Sequence, residues 1–103
     1  MYVPVAADAF DDLTDWTVVG GEVHAAFASP SFGAAGALAA AIAEAADRAD
    51  HHPDISIGYP GVVRLVMTTH ARSGLTDADV RLATEISALA REHRAVPVTP
   101  AEG

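Results

Sequence analysis

The sequence predicts an α+β fold: a four-stranded antiparallel sheet with helices packed on one face, in the order ββ-α-ββ-α. Three observations carry this expectation. Residues 17–28 hold two β-rich runs joined by Gly20-Gly21, Phe32 to Asp50 is an alanine-rich helical pattern, and Val62 to His70 alternates with period two. Connections of hairpin length favour antiparallel neighbours, because parallel ones need a long crossover. The sheet face left uncovered then meets solvent or holds a ligand.

Ala6 to Leu13 reads as a short helix ahead of Trp16. Thr17-Val18-Val19 and Val23 to Ala28 follow as two strands, since Gly20-Gly21 tolerates the positive φ of a hairpin turn. Ser29-Pro30-Ser31 interrupts the pattern and supplies candidate N-caps. In the long helix, built on the best helix-forming residue, Leu38, Ile42, Ala45 and Ala49 lie along one stripe. Pro53 stops the helix and biases His52 toward extended geometry.

Ile55 to Ile57 reads as a short strand, and Gly58-Tyr59-Pro60-Gly61 as a turn. In Val62 to His70, the residues Val63, Leu65, Met67 and Thr69 share one face; Val62, Arg64, Val66, Thr68 and His70 share the other. Thr76 caps a last helix from Asp77 to about His93, with Asp79 at its third position as an imperfect capping box. Leu82, Ile86 and Leu89 form its buried stripe, widened by Ala83 and Ala90. Asp79, three residues before Leu82, falls on the same inward side. Residues 1–12 and 96–103 are expected to be peripheral or frayed, the latter because of two prolines.

At 103 residues the chain is one domain. Only 6% of residues are aromatic, so alanine, valine and leucine must build most of the core. A net charge of −8 with six Lys+Arg argues against nucleic acid or an anionic membrane as partner, since both need a basic footprint. The lack of cysteine removes disulfides, thiolate metal sites and cysteine nucleophiles. Met1 to Ala7 has no basic n-region, and the apolar run Gly33 to Ala43 is shorter than the roughly 20 residues a bilayer requires. The expectation is a soluble, cytoplasmic protein without a membrane partner.

The chemistry-bearing residues are His51-His52-Pro53-Asp54, then Thr69-His70, then Asp79. Imidazole titrates nearest neutrality, so three of them around one pocket suit proton transfer. Asp47, one helical turn before His51, is placed to accept an imidazole hydrogen bond and fix a tautomer. Two readings of the pair stand side by side. Either the histidines converge on a pocket, or they cap the helix, where histidine suits the dipole and proline ends the run. Two or three histidines can hold iron or zinc, yet adjacent residues in extended chain point in opposite directions, which makes joint coordination awkward. No serine sits on a nucleophile elbow, and Gly33-Ala34-Ala35-Gly36 precedes no lysine. His24 and His93 read as structural, the latter at a helix C-terminus.

Ala43-Glu44-Ala45-Ala46-Asp47, His51-His52-Pro53-Asp54, Tyr59, Thr69-His70, Gly74-Leu75-Thr76 and Asp79 together resemble the signature of pterin-4a-carbinolamine dehydratases. Trp16, Phe27 and Phe32 fit the same pattern, and the similarity spans roughly Leu13 to Ala90. The resemblance implies the fold already reached from patterning. It also implies dehydration of 4a-hydroxytetrahydropterin to quinonoid dihydropterin, which recycles the cofactor of aromatic amino acid hydroxylases. By the resemblance, His51, His52 and His70 are the acid–base groups, and Asp47, Pro53, Thr69 and Asp79 bind or orient. No metal or cofactor is implied, and a homodimer or homotetramer is expected, since the alanine-rich helix offers more small apolar surface than one sheet face covers. The alternative on the same fold is a non-catalytic scaffold or assembly module; a third is a small metal-binding protein.

Three departures from the pattern stand out. His70 lies eleven residues after Tyr59, one more than the family's spacing; the Pro60-Gly61 turn or a bulge would absorb the extra residue, whereas its absorption inside the strand would flip side-chain faces. Ala71 and Ser73 replace an acidic residue and a glycine or other small residue. The N-terminal segment is short and lacks the family's helix pattern.

Overall fold

Glu22–Ala28 alternates a core-facing set, Val23, Ala25 and Phe27, with His24, Ala26 and Ala28, and this strand becomes the centre of the sheet. A computed structural model describes residues 2–70 and 74–98. The central strand, β2, pairs antiparallel with β1 (Thr17–Val19) through a turn in which Gly20 takes φ +61°. On its other side it pairs with β4 (Val62–Met67), which in turn pairs with β3 (Asp54–Gly58), giving the order β1-β2-β4-β3. The α+β class, the antiparallel sheet and the helices on one face are as the sequence predicts.

The sheet has a fifth strand that the sequence did not reveal. Val96–Val98, β5, pairs with β2 from Ala26↔Val98 to Ala28↔Val96, on the edge whose other end β1 occupies. Proline is tolerated there because an edge strand leaves one side of its backbone without a ladder partner. Of the tail expected to fray, residues 99–103 lie outside the described residues, as do Ala71 and Ser73. The N-terminal segment is docked as well. Val5 N–H donates to Leu75 O at 3.1 Å, Pro4 bridges Thr76, and Phe10 is buried in a short 3-10 turn, Ala7–Phe10, shorter than the helix expected over Ala6 to Leu13.

Helix α1 (Phe32–Ala49) starts at Ser31, whose Oγ accepts Ala34 N–H at 3.0 Å. Helix α2 (Asp77–Glu92) starts at Thr76 with a complete capping box: Asp79 accepts Thr76 N–H at 2.9 Å despite its short side chain. Leu38, Ile42 and Ala45 of α1 and Leu82, Ala83, Ile86 and Ala90 of α2 pack on Val23, Phe27, Val63, Leu65 and Met67. Ala49 is exposed rather than buried; Ala35 and Ala46 complete the α1 stripe instead. In α2, Leu89 is half-buried and Ser87 is buried, because Ser87 Oγ accepts the Trp16 indole N–H at 2.9 Å. Among the described residues, no helix is long and apolar enough to cross a membrane.

Register runs unbroken from Asp54↔Val66 to Gly58↔Val62, so no bulge interrupts the β3–β4 pairing, Tyr59-Pro60-Gly61 lies between the strands as a turn, and β4 keeps its core face. Gly61 is needed there: φ is +154°, and a Cβ would meet Ser31 O at 2.7 Å.

Candidate active site

Two chain reversals bring the histidines together. At the end of α1, Asp50 adopts the left-handed conformation (φ 51°) and donates its N–H back into the last turn, while His51 N–H reaches Ala46 O at 3.1 Å. These backbone groups close the helix, so the cap is Asp50 and the histidine side chains are released for other contacts. At the end of β4 the strand stops at Met67, earlier than expected, and Thr69 bridges Gly74. His70 is exposed just beyond that bridge.

His51 is turned inward, with 7% of its surface exposed, and its Nε2 lies 2.7 Å from Asp79 Oδ1. Asp79 is fully buried on the first turn of α2, on the inward side that its spacing from Leu82 predicts, and lies behind His51. Its second oxygen accepts Thr69 Oγ1–H at 2.7 Å and Thr76 N–H at 2.9 Å. Thr69 has only one hydroxyl proton, so the 2.7 Å contact between the two threonine hydroxyls runs from Thr76 to Thr69. The other two partners of Asp79 are donors, so as an acceptor throughout it suits the Nε2–H tautomer of His51, in which Nδ1 is the free acceptor.

His52 is arranged differently. Its Nε2 lies 3.0 Å from Asp47 Oδ1, and both side chains are mostly exposed. Asp47 therefore serves His52 and Asp79 serves His51, one carboxylate for each imidazole. A pocket of about 200 Å³ is lined by all three histidines together with Tyr2, Asp50, Thr68 and Thr69. Pro53 is not among the lining residues. A larger, open groove of about 560 Å³ beside Phe10 and Trp16 carries Asp8 and Asp11 but no imidazole, whereas His51, His52 and His70 line the smaller pocket.

Tyr2, Asp50 and Thr68 also line the pocket, and Thr76 joins the Asp79 network. Asp50 was legible as the neighbour of the histidine pair, and Thr76 as a cap; nothing in residues 1–15 pointed to Tyr2. His24 and His93 lie elsewhere, paired with Glu22 at 3.0 Å and with Leu89 O at 2.9 Å. Among the described residues, no three His, Asp or Glu side chains gather as metal ligands. At the rim of α2, Val3 N–H and then the Arg81 guanidinium hold the Asp77 carboxyl below its ordinary pKa.

The family model described as pterin 4 alpha carbinolamine dehydratase matches residues 4–89. The chain belongs to the pterin-4a-carbinolamine dehydratase family. A protein of Nocardia farcinica, provisionally named a pterin-4-alpha-carbinolamine dehydratase, is 47% identical over 85 residues, covering 82% of this chain and 88% of the relative. One from Roseiflexus sp., with the same provisional name, is 47% identical over 75 residues, covering 73% and 80%. A Brucella melitensis crystal structure, described as a transcriptional coactivator/pterin dehydratase, superposes with a TM-score of 0.75 at 28% identity, covering 81% of this chain and 89% of that one. Pterin-4a-carbinolamine dehydratases are lyases, and the enzyme class expected for this chain follows from that membership.

Proposed function

We propose that this chain dehydrates 4a-hydroxytetrahydropterin to quinonoid dihydropterin by histidine acid–base catalysis and so recycles a pterin cofactor. The observation that carries the reading is the convergence of His51, His52 and His70 on one pocket. In the reaction the bond between C4a and the hydroxyl oxygen breaks, and the oxygen leaves as water with a proton from an acid. The neighbouring ring nitrogen gives its proton to a base, and its electron pair forms the new C=N bond. One proton enters and one leaves, which histidines can manage without a covalent intermediate.

The tautomer at His51 supports it as the base, with Nδ1 as the accepting atom and Asp79 balancing the imidazolium that forms. The exposed pair His52–Asp47, or His70, supplies the acid and can be recharged from solvent. Thr69 orients through Asp79 rather than through substrate. Pro53 orients by directing the chain out of the histidine pair into β3. The exposed α1 residues Phe32, Ala37 and Ala40 support assembly into a homodimer or homotetramer. The site of action is proposed to be the cytoplasm.

The test is the decay of freshly generated 4a-hydroxytetrahydropterin followed by absorbance, with wild type against His52→Ala and His70→Ala. Acceleration by wild type that falls in both variants supports the reading; no acceleration by wild type overturns it. The coactivator wording of the Brucella structure favours one second reading, a binding module on this fold, and that result would move the assignment there.

A further inference from the structure

Tyr2 is the pocket residue that neither the histidine pattern nor the family match explains, since the match begins at Pro4. Its ring lies 5.8 Å from the His51 imidazole, centroid to centroid, at an interplanar angle of 52°. The aromatic side chain therefore leans over the most buried of the three histidines and forms a wall of the same cavity.

Tyr2 lies outside every helix and strand, so its position depends on how its neighbours are held. Here the backbone next to it is clasped twice by one residue: Val3 N–H donates to Asp77 Oδ1 at 2.9 Å, and Asp77 N–H donates to Val3 O at 2.9 Å. Arg81 holds the Asp77 carboxylate from the far side, one helical turn along α2. Asp77 is not itself a lining residue of the pocket, so its effect on the cavity passes through the position of Tyr2.

We infer that Tyr2 is a substrate-contacting residue whose ring packs against the flat pyrimidinone part of a pterin, and that Asp77 is its positioning residue. This rests on the pterin reading above and adds to it a wall that the histidines do not supply. A tyrosine presents a large rigid face at the cost of two side-chain torsions, which suits a planar heterocycle. Stacking of an aromatic side chain on a nucleobase-like ring is worth about tenfold or more in affinity when truncated to alanine. Since the phenol is placed against the resting ring and takes no proton, its loss falls on binding rather than on the chemical step.

The experiment compares wild type, Tyr2→Ala, Tyr2→Phe, Asp77→Ala and the double variant Tyr2→Ala/Asp77→Ala. Two readouts are taken: KM and kcat for carbinolamine dehydration, and Kd for 7,8-dihydrobiopterin, a pterin that carries no 4a-hydroxyl. Expected are a rise of about tenfold in KM and Kd for Tyr2→Ala with kcat within about twofold, and recovery of most of that loss in Tyr2→Phe. Asp77→Ala raises KM and Kd in the wild-type background but adds nothing in the Tyr2→Ala background, the non-additivity of a shared function. Unchanged KM and Kd in Tyr2→Ala overturn the inference, as does a fall in kcat alone; additive effects of the two substitutions overturn the role given to Asp77. A wild type that binds 7,8-dihydrobiopterin but accelerates nothing overturns the acid–base reading while the Kd ratios still decide Tyr2. A wild type that binds no pterin overturns both.

Discussion

His51 and His52 are neighbours in sequence, and each is paired to a carboxylate through Nε2, yet the two pairs inhabit different solvents. His51–Asp79 spans 2.7 Å with side chains 7% and 0% exposed; His52–Asp47 spans 3.0 Å with side chains 57% and 79% exposed. A buried pair is held in one geometry by its surroundings, here by two threonines that leave Asp79 no freedom to turn. An exposed pair is screened by water and ions and can trade its proton with them. Identical residue types thus divide into a buried, held imidazole and a solvent-exposed one by the depth of their surroundings alone.

Breaking the buried side should do the most damage. Asp79→Ala leaves His51, Thr69 and Thr76 without their shared acceptor, and each buried donor left unsatisfied costs about 1–3 kcal/mol. The expected outcome is a large fall in urea midpoint together with loss of turnover. Asp79→Asn keeps the shape but can donate to His51, so it should recover part of the stability while turnover stays low. Equal activity in Asn and wild-type proteins would break the assignment of His51 as base.

His52→Ala and His70→Ala should separate catalysis from folding. Each is expected to lower kcat by about 10²–10⁴-fold, or roughly 3–5 kcal/mol of barrier, with the thermal midpoint nearly unchanged. A parallel drop in both quantities would mean that the exposed side is as structural as the buried one. Asp47→Ala probes the exposed pair from its other end. Its stability cost should be about 0.2–1 kcal/mol and should shrink with added salt, measured by denaturation at low and high ionic strength.

The smallest effect is expected at Asp77, through acid. Its folded pKa lies below the ordinary value of 3.8, so the carboxylate contributes stability that is complete above that value and is lost as pH falls through the lowered one. Hydrogen exchange at the Val3 amide should therefore rise in that acid window relative to amides of the core strands. Asp77→Asn should remove this excess acid sensitivity. Retention of the wild-type acid profile in Asp77→Asn would show that another group controls the clasp.

Much of the site was legible because its chemistry rides on residue types set beside chain breakers. Pro53 after two histidines, the Thr69-His70 end of an alternating run, and Asp79 in a capping position mark places where chain direction changes. Depth was not legible in the same way. Whether His51 or His52 turns inward depends on the left-handed backbone at Asp50, and nothing in the two identical side chains distinguishes them. Strand β5 escaped notice because three residues containing a proline carry no period, and its identity comes from an edge of β2 left open beyond β1. Tyr2 escaped because its place is set by a clasp to residue 77, a contact with no local signal.

Gly61 has a consequence for how chains of this fold can vary in length. Its carbonyl accepts Ser29 N–H at 2.8 Å, and its missing side chain lets the β3–β4 turn press on Ser31 and Phe32, where α1 begins. The far end of α1 is pinned through His51 to Asp79. The helix is a beam clamped at both ends, and one inserted residue would shift its end by about 1.5 Å and rotate it by about 100°. The turn that bears on its start, by contrast, holds Tyr59-Pro60-Gly61 without disturbing either strand. Insertions and deletions among relatives should therefore collect in that turn and be excluded from Phe32–Ala49, which makes the count of residues between Ser31 and the histidine pair a ruler for the fold.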